Sequence, residues 1–473
     1  MRSIFREGRS FKIMFDNILH QEITKQLTAD LNGGRLAPAL LFSGPQASGK
    51  GSAALELARV LSCESAAAPG SWNCSCPSCV RHRSLVSQDL LLLGQKPFFA
   101  EISACAEAFR REPGTSGVKR LFIRSIRKLL GRFSPVLWED DPKLGKIAGL
   151  VLELEEDLEA FERQAEQDTG KTIEALLKNS MKLESGGMGE FIPIARIRRA
   201  AYWSRLAPAG KHKCVIIENA ERMQEGAKNS LLKILEEPPE RVTLILGCSR
   251  PGTLLPTIRS RLRVYRFARR SPEEEIDVIR RIFRDNDYMP KSGPPPEFRN
   301  PAVSGTGIPA EPYNDAGMVA AYLESFLPVD NRSLYSLGAY FTASIAAAAV
   351  RECRDAGRAP PGVLADLGKF AVPLAEEFGR PAPDIRTTLF TVGKHTDNFE
   401  IPGLFARFCK NILFLLSAFL RGGESSAEKT ELVVVWKREL GAAFNASDTY
   451  NIKETMVMER LAVKLKDAFA ESA

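Results

Sequence analysis

The chain has 473 residues, 44% of them hydrophobic and 26% charged, with a formal net charge of +7 and a sequence pI near 8.9. That length exceeds one ordinary core and implies two or three soluble globular domains; the mild positive charge suits work beside nucleic acid without requiring it. There is no run of 18 or more apolar residues, so no membrane span is expected, and Met1-Arg-Ser-Ile-Phe-Arg lacks the apolar stretch of a signal peptide, which makes a cytoplasmic protein the expectation.

Residues 1–13 read as a short extension, and a helix follows from about Gln21 to Asn32, closed by Gly33-Gly34. Ala39 to Ser43 is a short apolar run of the kind buried on both faces of a sheet. It feeds into Gly44-Pro-Gln-Ala-Ser-Gly49-Lys50, the spacing of a phosphate loop, and an Ala/Leu-rich helix continues from Ala53 to Leu61. In such a loop glycines let backbone N–H groups converge on an anion, Lys50 adds a charge and the helix adds its positive end. A working loop next carries Ser or Thr to hold Mg²⁺; here Gly51 stands there and Ser52 lies one step on, rotated by roughly 100° on a helix.

Cys63, Cys74, Cys76 and Cys79 crowd four of the nine cysteines into one short stretch, with His82 three residues beyond as an alternative fourth ligand. Thiolates favour tetrahedral Zn²⁺, and four of them leave no open position, so the metal is expected to be structural; free cytosolic thiols are the plainer reading. Ser87 to Leu93 reads as the next strand.

Three helices are expected between about 97 and 188: a basic one over Gly117–Leu130 (Lys119, Arg120, Arg124, Arg127, Lys128), an acidic one over Ile147–Glu166 and an amphipathic one over Ile173–Leu183. Opposite charges on neighbouring helices suggest a self-pairing hairpin; the sharper alternative is a basic face for DNA phosphates or a partner subunit. Ile194 to Ser204 is again helical.

From Lys213 the order is strand, helix, strand, exposed arginine. Val215 to Ile217 is a buried-type strand ending at Glu218 and Asn219. Ala227 to Leu235 is a helix with Leu231, Leu232 and Leu235 on one side, stopped after Glu236-Glu237 by Pro238-Pro239. Val242 to Leu246 is a second strand, and Arg259, Arg261 and Arg263 form a basic cluster. Ser271-Pro272-Glu-Glu-Glu starts a helix that runs through Ile276 to Phe283. Pro290 to Pro312 reads as a linker, and from Ala316 the chain is helical, with Ile401–Leu420 and Tyr450–Leu465 the clearest segments.

Leu231-Leu-Lys-Ile-Leu-Glu-Glu-Pro-Pro239 and Thr257-Ile-Arg-Ser-Arg261 together resemble the AAA+ clamp-loader family of bacterial DNA polymerase III, most of all its delta-prime branch, with gamma/tau the sibling branch. The resemblance is strong over about 14–95 and 190–267, starting at Met14-Phe-Asp-Asn-Ile18 and His20-Gln-Glu22, and architectural beyond. It implies an α/β fold: a RecA-like phosphate-loop core over 1–267, with a zinc module at 63–82 and an insertion at about 97–188. A small helical lid and linker at 268–315 and an all-α collar at 316–473 would complete the chain.

The resemblance also implies Zn²⁺ on Cys63, Cys74, Cys76 and Cys79, and an ATP site at Gly44, Gly49, Lys50, Gly51, Ser52 and Glu218. That site is degenerate. Gly51 lacks the magnesium hydroxyl, Asn219 replaces the water-orienting Glu and has no basic site, and the lid's Gly-x-x-Arg-Asp is missing. Ser260-Arg261 stands where the family carries an arginine finger acting on a neighbour's ATP. The implied function is a delta-prime-like stator with no ATPase of its own. It would sit in a hetero-pentameric ring with gamma/tau and delta subunits and help place a sliding clamp on primed DNA. A gamma/tau-like ATP-hydrolysing motor is the alternative, and a zinc protein that binds DNA outside any ring is a third reading.

Overall fold

The computed structural model describes residues 14–66, 69–95, 97–164, 169–189, 191–289, 317–329, 331–399, 404–422, 426–450 and 452–467. The expected extension 1–13, the linker Pro290–Pro312 and the expected helix limits at Glu166, Ala316 and Ile401 lie outside these residues. The described chain forms two compact units, 14–289 with 317–323 and 324–467.

The first unit is built on five parallel strands in the order β2-β3-β4-β1-β5: β1 (Ala39–Ser43), β2 (Leu90–Gly94), β3 (Lys213–Glu218), β4 (Val242–Cys248) and β5 (Arg263–Arg266). All five residues of β1 are buried, as are the first five of β3 and of β4, because strands covered on both faces carry continuous apolar runs. In β5 Tyr265 alone is buried, so this edge strand reads in the sequence as a basic cluster. The register sets Leu41 beside both Leu246 and Val264, and Ile217 beside both Leu246 and Leu93. The carboxyl ends of β1 and β3 therefore lie at the same edge of the sheet, where ligands of open parallel sheets bind.

Helix α1 (Ile23–Asn32) packs on β5, α2 (Lys50–Leu61) on β1 and α3 (Pro77–Arg83) on α2, and Leu27, Leu31, Phe42, Leu57, Ile216, Ile245 and Tyr265 share one core. Between β2 and β3 stand α4 (Phe99–Arg111), α5 (Ser116–Leu130), α6 (Pro135–Trp138), α7 (Leu144–Arg163), α8 (Gly170–Gly187) and α9 (Ile194–Arg205). Of these, α4 and the single-turn α6 have no counterpart among the expected helices, and α4 is the long one. It is capped from a distance: Glu184 of α8 accepts the N–H groups of Phe98 and Phe99 at 2.7 and 2.9 Å, satisfying two donors that a helix start leaves open.

The charged helices serve each other. Arg127 of α5 pairs with Glu162 of α7 at 2.5 Å, and Lys119 reaches the Glu162 and Gln164 carbonyls at 3.3 and 3.0 Å. Lys128 meets Glu101 of α4, and Arg127 donates to the Ser84 carbonyl just past α3 at 3.0 Å. The unit continues through α10 (Glu225–Glu236), α11 (Pro256–Arg259) and α12 (Pro272–Phe283), whose start is a capping box between Ser271 and Glu274 with Pro272 in the first turn. Helix α13 (Met318–Glu324) follows.

In the second unit the assigned elements are helical: α14 (Asn331–Asp355), α15 (Gly362–Ala371), α16 (Ile385–Thr396), α17 (Leu404–Arg421), α18 (Ala427–Tyr450) and α19 (Glu454–Asp467), with short 3₁₀ turns between. Phe341, Phe408, Ile412, Leu415, Trp436 and Leu461 belong to its core. Helix α14 is long and apolar enough to cross a membrane by length and composition, but 78% of its most apolar window is buried. A Cβ at Gly338 would stand 3.2 Å from Ile412 Cγ1, so glycine there lets α14 and α17 approach closely.

Candidate functional site

The phosphate-loop sequence lies between β1 and α2, at the carboxyl edge of the sheet. Gly44 has φ +152° and packs on the Phe267 carbonyl, which a Cβ would strike; Gly49 has φ +93° and a Cβ there would stand 3.1 Å from Arg270 Nη2. The Lys50 ammonium folds onto the loop itself, donating to the Gly44 carbonyl at 2.6 Å, to the Pro45 carbonyl and to Ser48 Oγ at 3.3 Å. Arg270, 9% exposed, holds the loop from the other side: Nη1 donates to the Ala47 carbonyl at 2.8 Å, while Nε and Nη2 donate to the Leu19 carbonyl at 3.1 and 2.9 Å.

Glu218, at the end of β3, faces Gly51 at the start of α2. A Cβ on residue 51 would collide with Glu218 Oε1, so carboxylate and loop helix touch where a hydroxyl would otherwise stand. Ser52 lies on the exposed face of α2. Glu218 Oε2 is paired with Arg132 Nη2, which arrives from the turn between α5 and α6. Arg132 is 5% exposed, lies over the Phe98 ring at 5.0 Å, and its carbonyl accepts the Trp138 Nε1 hydrogen at 2.9 Å. Asn219 is left-handed (φ 51°), which its short amide side chain tolerates, and donates to the Gln95 carbonyl at 3.1 Å.

The four cysteines converge. Cys63 follows α2, Cys74 lies in the next loop, Cys76 caps α3 and Cys79 sits in its first turn; their sulfurs all lie within 4.8 Å of one another, with Cys63 and Cys74 3.7 Å apart. A tetrahedral zinc with bonds of about 2.3 Å sets sulfurs about 3.8 Å apart, so the set fits that ion. The hydrogen bond from Cys79 holds the Cys63 thiol well below its usual range, at about 4, and Cys79 as donor is pushed up. Arg59 of α2, 1% exposed, donates to Cys79 Sγ at 3.0 Å and to the Gly70 and Ser71 carbonyls at 2.8 and 2.9 Å. It is held in turn by Glu56, at 3.0 and 2.6 Å. His82 lies outside the thiol group, buried, with Nε2 3.2 Å from Ser87 Oγ; burial pushes its imidazole down to about 4.

Arg261 follows α11 and is 36% exposed. Its Nη2 pairs with Glu236 Oε1 at the end of α10 at 2.9 Å, and Nη1 donates to the Thr257 carbonyl at the same distance. Ser260 is exposed, its hydroxyl turned to the Thr257 carbonyl at 3.1 Å.

The family model described as "DNA polymerase III, delta subunit" matches residues 19–133 and 154–271. A DNA polymerase III subunit delta' of Yersinia pestis is 47% identical over 55 residues, 12% of this chain and 16% of that protein. The subunit delta' of Pseudomonas aeruginosa is 49% identical over 55 residues, 12% and 17% of the two chains. A DNA polymerase III subunit gamma/tau of Mycobacterium bovis is 29% identical over 102 residues, 22% and 17%. The chain thus spans about a sixth of the length of these curated relatives. It belongs to the DNA polymerase III delta-prime/clamp-loader family.

In this clamp-loader chain Gly51 and Glu218, expected in one site, do stand together, and the four cysteines gather into one cluster. Two contributors escape sequence reasoning. Arg132 is 86 residues from Glu218, in Gly131-Arg-Phe, with nothing to single it out. Arg270 is one of several arginines after β5, and its 223-residue separation from Ala47 hides its hold on the loop.

Proposed function

We propose that this chain is a delta-prime-like stator of a bacterial clamp loader, which hydrolyses no ATP itself and presents Arg261 to the ATP of a neighbouring subunit. The observation that carries the reading is the contrast between two sites. At the phosphate loop Lys50 is turned onto loop carbonyls and Glu218 is neutralised by Arg132. At Arg261 the guanidinium is partly exposed and held by a half-exposed Glu236. Such a surface pair is worth about 0–1 kcal/mol, so a neighbour's phosphates can draw the arginine away.

In this reading the second unit is the collar that joins the ring of gamma/tau- and delta-type subunits. The first unit is the AAA+ core with α12 as part of its lid. The assembly acts in the cytoplasm to place a sliding clamp on primed DNA. Zinc on Cys63, Cys74, Cys76 and Cys79 closes the 63–79 loop as a structural ion, its four thiolates leaving no position for water.

The test is Arg261→Ala in the reconstituted loader. Assembly is expected to be intact and ATP turnover to fall by about 10³-fold or more, as for a finger supplied in trans; unchanged turnover would remove the role. The likeness to gamma/tau supports a second reading, an ATP-hydrolysing motor. Mg²⁺-dependent turnover by the purified chain that vanishes in Lys50→Ala would establish the motor instead.

A further inference from the structure

We propose that Arg132 takes the place that a divalent cation has in a working phosphate loop: it is a built-in counter-charge to Glu218, and it keeps Mg²⁺ out of this chain's loop. The inference rests on reading residues 44–50 as a phosphate loop and is independent of any place in a ring.

A working loop shares its cation between a hydroxyl on the residue after the lysine and a carboxylate at the end of the neighbouring strand. Here the hydroxyl is missing at Gly51, and Glu218 Oε1 lies against the space a side chain there would fill. The carboxylate therefore lies against the start of the loop helix. Its charge is already balanced, because Glu218 is 18% exposed and pairs with a guanidinium that is 5% exposed. A second cation would face Arg132 at close range in a poorly screened setting, where like charges repel far more strongly than in water.

Arg132 cannot easily swing away. Its guanidinium lies over Phe98, and its backbone is tied by the Trp138 hydrogen bond. Among the described residues its Nε and Nη1 have no acceptor, and its side-chain hydrogen bond goes to Glu218. The source of the charge is also telling. It comes from the turn after α5, outside the strand–loop–helix unit that binds phosphate.

The proposal makes Glu218 a latent cation ligand that Arg132 suppresses. Removing the arginine withdraws that counter-charge from a half-buried carboxylate, and a hard divalent ion that prefers oxygen ligands is the natural replacement. The experiment is Mn²⁺ titration of the full zinc-loaded chain, free Mn²⁺ being read by electron paramagnetic resonance. Wild type and Glu218→Gln are expected to bind the same amount, showing that Glu218 holds no ion. Arg132→Gln is expected to gain one Mn²⁺ per chain, and Arg132→Gln/Glu218→Gln to lose that gain.

Wild-type Mn²⁺ binding that disappears in Glu218→Gln would overturn the proposal. So would a folded Arg132→Gln chain with no gain, or a gain that survives the second substitution. If Arg132→Gln alone does not stay folded, Arg132→Met is titrated in its place, and a folded Arg132→Met chain with no gain overturns the proposal in the same way. None of these outcomes depends on Arg261, so a failure here is separable from a failure of the stator reading.

Discussion

At the scale of single residues, Arg59 connects the two candidate sites. It lies on α2, the helix that begins at the phosphate-loop lysine, and its guanidinium reaches both Cys79 and the loop carrying Gly70 and Ser71. Four thiolates around Zn²⁺ carry two net negative charges, and a buried donor to one sulfur offsets part of that charge and fixes the sulfur in place. With zinc on the four thiolates, as proposed, Arg59→Leu should therefore weaken its retention by about 10- to 100-fold, read as faster capture of the metal by a colorimetric chelator. The same change leaves Glu56, 4% exposed, without its cation and should cost about 3–5 kcal/mol in unfolding free energy. Arg59→Leu/Glu56→Leu separates the effects: stability should recover while zinc release stays fast. Zinc release at the wild-type rate in both variants would show that Cys79 does not need the arginine.

At the scale of elements, the cap on α4 is a long-range device with a local effect. Glu184 is 4% exposed and accepts two backbone hydrogens across 86 and 85 residues of sequence. Glu184→Ala removes the shared acceptor of one buried and one half-buried donor and should cost roughly 2–3 kcal/mol by urea unfolding, while Glu184→Gln, which keeps an acceptor, should recover most of it; equal losses in both would mean the carboxylate acts by charge rather than as a cap.

The same cap explains what the sequence conceals. Strands β1, β3 and β4 announce themselves because both their faces are buried, and the expected Ala227–Leu235 helix lies within α10 (Glu225–Glu236) because leucine spacing and the Pro-Pro stop are local signals. Helix α4 gives no such notice. Its N-cap residue is Phe98, with no side-chain cap of its own, and the group that starts it lies in α8. Strand β5 is hidden for another reason, since a four-residue edge with one buried side chain shows no apolar run. In the site, Gly51 and Asn219 are legible as departures from a pattern, whereas the Arg132–Glu218 pair depends on a tertiary contact that no spacing encodes.

At the scale of the molecule, the two units carry different kinds of surface. The first unit presents its candidate chemistry at the sheet edge and at Arg261. The second unit has an aromatic core but also exposed apolar side chains on its last helices: Val434 on α18 is 60% exposed, and Met456 and Val463 on α19 are 62% and 45% exposed. A single exposed apolar residue is ordinary, but three on two helices that pack on each other are the kind of surface that the proposed collar would cover with a neighbour. Polar substitution distinguishes a covered face from idle surface. Val434→Glu and Met456→Glu should leave the isolated chain within about 0.5 kcal/mol of wild-type stability, because neither side chain contributes to the core. In sedimentation with the other loader subunits, each should raise the dissociation constant by about tenfold, the equivalent of about 1.4 kcal/mol at an interface. Assembly at wild-type strength in both variants would move the ring contact to another face of the second unit. It would leave the phosphate loop and Arg261 as they stand, since both belong to the first unit.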